Sequence, residues 1–96
     1  MKAIGMMLGA LVIGAAAMSS PANAASERFC RDYATAALRQ VREAHETHFC
    51  ERGLRDETRW SEDYHVHFDW CRGASREDAD AERDARKHYI DECRRH

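Results

Sequence analysis

Two different hydrophobic rhythms divide this chain. Residues 4–18 (IGMMLGALVIGAAAM) form an uncharged apolar run of 15 residues with no polar face. Lys2 precedes it, Ser19-Ser20-Pro21 breaks it, and Ala22-Asn23-Ala24 supplies the small-x-small pattern of a signal-peptidase site. The run is shorter than the roughly 20 apolar residues that span a bilayer. It predicts a cleavable leader over 1–24 and a mature domain over 25–96. The expected destination is the periplasm or the exterior, with no membrane insertion after cleavage.

Beyond the leader the rhythm becomes amphipathic. Cys30, Tyr33, Ala34, Ala37, Val41, Ala44, His45 and His48 recur at i, i+3, i+4, i+7, i+11, i+14, i+15 and i+18, which predicts one helix over 26–48. Cys50 falls off this stripe, so the helix should fray around 47–49. Residues 51–59 (ERGLRDETR) read as a polar connection around Gly53. Residues 60–71 fit two periods. Tyr64, Val66, Phe68 and Trp70 alternate like a strand, whereas Trp60, Tyr64, His67, Phe68 and Cys71 follow a helix. An isolated strand needs partners and nothing else in the chain alternates, so the helix is preferred. Gly73 ends it. Ser75 to Asp78 then resembles a capping box, opening a last helix whose shared face holds Ala79, Glu82, Arg86, Tyr89, Ile90 and Cys93. Glu82 and Arg86 stand four apart on that face, the spacing of a favourable ion pair.

Composition turns this pattern into a fold class. Residues 25–96 hold 17 acidic and 14 basic side chains, interleaved in sign. Without a basic patch, nucleic acid is excluded as the expected partner. Only thirteen large apolar side chains serve 72 residues, a thin core for a domain of this size. Four cysteines, Cys30, Cys50, Cys71 and Cys93, are the staples expected of an exported small domain. Catalytic disulfides sit close in sequence, as in C-x-x-C, and the spacings here are 20, 21 and 22.

Four cysteines allow three pairings. A helix of 20 residues is about 30 Å long, and a disulfide needs Cα atoms within about 7 Å. Cys30–Cys50 and Cys71–Cys93 each bracket a helix and fail. An up-down-up bundle favours Cys30–Cys71 with Cys50–Cys93. Cys30–Cys93 with Cys50–Cys71 stays open and needs the short connection to run back along the bundle. The expected fold is therefore all-α, a small three-helix bundle stapled by two disulfides.

The residues Cys30, Tyr33-Ala34, Ala37, Gln40, Cys50, Trp60, Asp63, His67, Trp70-Cys71, Glu82, Arg86 and Cys93 form a pattern along nearly all of the mature chain. It resembles a group of small uncharacterised exported proteobacterial four-cysteine proteins. The residues just before Trp60 depart from the short Gly/Pro-rich turn of that group. The resemblance implies a shared scaffold and carries no activity or cofactor.

Six histidines raise the question of metal. His45 with His48, and His65 with Asp69, have helix-face ligand spacing, and a strand would put His65, His67 and Asp69 on one side. No complete zinc motif is present, and oxidised cysteines are lost as ligands. His67 reads as an interior histidine satisfied by Asp63 or the Tyr33 hydroxyl. His65 and Asp69 read as a solvated pair. Val66 and Trp70 lie beside the Cys71 stripe and are candidates for a partner-facing apolar patch. The sequence supports a non-catalytic envelope accessory or protein-binding module with no cofactor. The alternative is a periplasmic zinc, copper or nickel buffer using its histidines.

Overall fold

The computed structural model describes residues 25–95, so the leader assigned to 1–24 and His96 lie outside the described residues. Three helices follow: α1 (Glu27–Glu46), α2 (Tyr64–Arg72) and α3 (Arg76–Arg94), with a 3-10 turn at Glu51–Gly53 after α1. They make the expected small bundle, with α1 packed on both partners.

Helix α1 begins where Ser26 Oγ accepts the Phe29 N–H at 3.1 Å, with Glu27 in the first turn facing the positive end of the dipole. Cys30, Tyr33, Ala34, Ala37, Val41 and Ala44 are buried along one face, as the periodicity requires. The helix stops at Glu46, just before the 47–49 stretch where fraying is expected. Thr47 turns to extended backbone (φ −101°, ψ 115°), and its hydroxyl donates to the Glu43 carbonyl at 2.8 Å. That turn leaves His45 half-buried and His48 exposed, and carries Cys50 toward α3.

Helix α2 starts four residues later than the sequence suggested. Asp56 Oδ1 accepts the N–H groups of Thr58 and Arg59, both at 3.0 Å, and the Trp60 N–H closes the turn on the Asp56 carbonyl at 2.9 Å. This local Asp turn competes with helix. It plants Trp60, only 7% exposed, against Tyr89 as an anchor ahead of the helix, ring centroids 5.2 Å apart. Asp63 then caps α2 by accepting the His65 N–H at 2.9 Å. Ser75 caps α3 through the Asp78 N–H at 3.0 Å.

Two disulfides close the bundle. Cys30–Cys71 ties the start of α1 to the end of α2, with Cα atoms 5.5 Å apart, and Cys50–Cys93 ties the connection after α1 to the end of α3, at 5.1 Å. This is the pairing that the up-down-up order favours once helix length has removed Cys30–Cys50 with Cys71–Cys93. Around each bridge sits a separate apolar cluster. Val41, Ala44, Trp60 and Ile90 surround Cys50–Cys93, with Leu54 and Tyr89 against them. Tyr33, Ala37 and Ala79 surround Cys30–Cys71, flanked by Phe29, Phe68 and Trp70. Along α1 and α3 the residues between these clusters include Gln40, Glu82 and Arg86, so the interior changes from apolar to polar and back.

Candidate functional site

The polar layer is built around Arg86. Its place on the stripe of Ala79, Ile90 and Cys93 points it inward, and it is 1% exposed. Burying a guanidinium is costly unless its donors are met. Arg86 Nε donates to Gln40 Oε1 at 2.7 Å, and Nη1 reaches the Arg59 carbonyl at 3.5 Å. The guanidinium carbon lies 5.1 Å from the centre of the Tyr33 ring, a cation–π arrangement. Gln40 is itself fixed, its Nε2 donating to the Arg83 carbonyl at 3.1 Å. Among the described residues Arg83 Nε has no hydrogen-bond partner, and neither has Arg86 Nη2. Among the described residues no carboxylate comes within 4 Å of this side chain to form an ion pair.

The carboxylate expected to pair with Arg86 is used elsewhere. Glu82 Oε1 and Oε2 accept Arg59 Nε and Nη2, both at 2.9 Å, in a bidentate fork. The Arg59 guanidinium holds the Glu82 carboxyl below the usual range, and Glu82 in turn raises Arg59. The i, i+4 expectation for Glu82 and Arg86 is thus corrected. The Asp turn presents Arg59 from outside α3 with better fork geometry than a neighbour on the same helix.

His67 forms another wall. It is 2% exposed, and its Nε2 lies 2.8 Å from the Ser61 carbonyl, which fixes Nε2 as the protonated donor and Nδ1 as the acceptor of the neutral ring. The sequence named Asp63 or the Tyr33 hydroxyl for this role. Asp63 is taken by the α2 cap, and Tyr33 meets His67 edge-on at 6.4 Å between centroids. Burial pushes the His67 pKa down, opposed by the bond to Ser61, so the ring is neutral at pH 7. Burial also pushes the Tyr33 phenol up, against the pull of Arg86.

These side chains line one cavity of about 330 Å³, walled by Tyr33, His67, Trp70, Arg59, Glu82 and Arg86, with Asp56 and Thr58 at its edge. Comparisons with known proteins add nothing to this geometry. No protein-family model, curated protein or solved structure matches the chain.

The other candidate residues are scattered. His45 Nε2 lies 3.1 Å from Glu62 and its Nδ1 4.0 Å from Glu51, beside a second cavity of about 260 Å³ that includes Leu38 and Val41. His48 is exposed and packs edge-on against Phe49, ring centroids 5.0 Å apart, so it does not join His45. His65 and Asp69 are both exposed but form no ion pair among the described residues, because His65 lies against the Tyr64 ring instead, centroids 5.5 Å apart. Among the described residues no three of His, Cys, Asp and Glu gather as a ligand set. Val66 is 36% exposed, whereas Trp70 is half-buried, tilted against Tyr33 with centroids 5.6 Å apart, and forms a cavity wall. The sequence reading passed over Arg59 and took Arg86 as the ion-pair partner of Glu82. Arg86 carried a signal, because a charged residue on the same face as Ile90 and Cys93 must be buried or break the stripe.

Proposed function

We propose that this protein is an exported, non-catalytic binding module of the bacterial envelope, periplasmic or secreted. The apolar run and small-x-small site in 1–24 support export, and two disulfides are compatible with an oxidising compartment. The observation that carries the binding role is the cavity beside α2, where a buried guanidinium keeps an unused N–H. Groups able to do chemistry are already committed: at the cavity Glu82 to Arg59 and His67 to Ser61, and elsewhere in the fold the four cysteines to each other. Such a site holds a molecule or a partner's side chain rather than turning it over. Val66, also exposed on α2, offers a partner an apolar contact outside the cavity. The histidine-buffer reading has less support, since the candidate ligands are dispersed around the domain.

The test is cell fractionation of the full chain followed by native mass spectrometry of the envelope pool. The expected species is residues 25–96 with two disulfides and a non-covalent companion. Retention of the leader in the cytoplasm, or recovery with one stoichiometric zinc or copper ion as the sole companion, contradicts the proposal.

A further inference from the structure

The chemistry of the cavity narrows what it takes. Three features of the wall bear on the choice. Arg86 Nη2 is a buried donor on a cation, without a partner and without a counter-charge in contact. The nearby acids do not hydrogen-bond it: Glu82 feels the Arg86 charge but gives both oxygens to the fork with Arg59, and Asp56 accepts backbone N–H groups of its own turn. The remaining walls are the aromatic faces of Tyr33 and Trp70 and the neutral ring of His67. An orphaned charged donor is among the costliest things a small domain can bury, so a ligand that satisfies it gains more than an ordinary hydrogen bond.

From this cavity we infer that the site binds a single carboxylate group carried on a small, partly apolar molecule, with Arg86 Nη2 as its anchor. The carboxylate fits on local charge. Glu82 and Asp56 balance Arg59 and Arg86 over the whole lining, but neither acid touches Arg86 Nη2, and a phosphate dianion would bring a second charge toward both acids. It fits on size, since about 330 Å³ lies at the low end of the roughly 300–1,000 Å³ of small-molecule sites. The apolar part of the ligand lies against Trp70, which is half-buried and itself packed on Tyr33 with ring centroids 5.6 Å apart. A free organic acid and the C-terminus of a peptide both offer this group.

The inference rests on the binding reading above, and the experiment separates the two. Oxidised protein of residues 25–96 is titrated by ¹H–¹⁵N NMR with benzoate, benzamide, inorganic phosphate, and a blocked dipeptide with a free or amidated C-terminus. Benzoate is expected to shift the amides of Tyr33, His67, Trp70 and Arg86, together with the Trp70 indole. Benzamide, which keeps the ring and loses the charge, is expected to bind weaker by about tenfold or more. Arg86→Gln is expected to lose the preference for acid over amide. Should that variant fail to fold, the benzoate–benzamide comparison on the unaltered protein decides alone. A free-terminus dipeptide binding tighter than benzoate assigns the group to a peptide end, and the reverse assigns it to a free acid. Equal binding of acid and amide, tighter binding of phosphate, or shifts confined to the Leu38–His45 cavity overturns the proposal. If no carboxylate binds while the envelope complex is recovered, the carboxylate assignment falls and the binding module stands.

Discussion

The wall of the cavity depends on the fork between Arg59 and Glu82, and its strength can be worked from the structure. Guanidinium and carboxylate centres in a bidentate pair sit about 4 Å apart, which gives roughly 4 kcal/mol of attraction at an effective dielectric of about 20. The side chains are 36% and 27% exposed, so water screens part of this and side-chain ordering offsets more. Exposed pairs retain about 0–1 kcal/mol. This half-buried fork should show a coupling of about 1–2 kcal/mol. Glu82→Gln alone should cost more, about 2–3 kcal/mol, because it leaves Arg59 unpaired beside the buried charge of Arg86. The assay is a double-mutant cycle of Glu82→Gln and Arg59→Gln, followed by urea unfolding of the oxidised proteins at pH 7. The folded Glu82 pKa is depressed, so its contribution is present above the ordinary carboxylate range and is lost as pH falls through the folded value. A coupling under about 0.3 kcal/mol, within the error of additivity, would refute the claim that this pair holds the wall.

Two further outcomes are expected. Gly53→Ala places a methyl against the Tyr89 hydroxyl, with the ring carbon Cζ only 3.2 Å away, and threatens the bond from Tyr89 to the Cys50 carbonyl at 2.7 Å. It should destabilise by about 1–3 kcal/mol in thermal unfolding, and a neutral result would show that Tyr89 gives way freely. His67 has a lowered folded pKa, so its neutral form stabilises the fold above about pH 6.5 and that stability is lost as pH drops through the folded value. Stability measured from pH 7.5 to 5 should fall with acid less steeply in His67→Gln than in the unaltered protein; parallel curves would show that His67 does not drive the acid loss.

How much of this was legible in the sequence differs by residue. The face of α1 followed from its period, because Cys30, Tyr33, Ala37 and Val41 repeat with nothing to compete. Helix length removed one of the three pairings, since a continuous helix keeps its two flanking cysteines far apart, and the up-down-up order favoured the two bridges that form. Helix α2 was harder, because its residues satisfy two periods and Asp56 builds a turn that no periodicity reports. That turn took Trp60 out of the helix and gave Arg59 to Glu82, so the expected pairing on α3 was displaced by a contact across the fold. The cavity was hidden for the same reason. Its walls come from α1, α2, α3 and the connection, and their meeting depends on tertiary geometry rather than on spacing. Yet Tyr33, Gln40, His67, Trp70, Glu82 and Arg86 were already in the sequence pattern, and all of them line or adjoin that space.

Two covalent bridges hold together a core divided by a polar layer. Each joins residues 41 or 43 positions apart, and closing such a loop in the unfolded chain is worth about 4 kcal/mol at 25 °C. At about 4–8 °C per kcal/mol for a domain of this size, one bridge corresponds to roughly 15–30 °C in melting temperature. The most direct measurement is thermal unfolding, followed by circular dichroism, of residues 25–96 oxidised and with all four cysteines replaced by alanine. The oxidised protein should melt cooperatively, and the alanine variant should show no folded baseline at 37 °C. A variant that melts cooperatively within a few degrees of the oxidised protein would show that the helices hold themselves, contradicting the account.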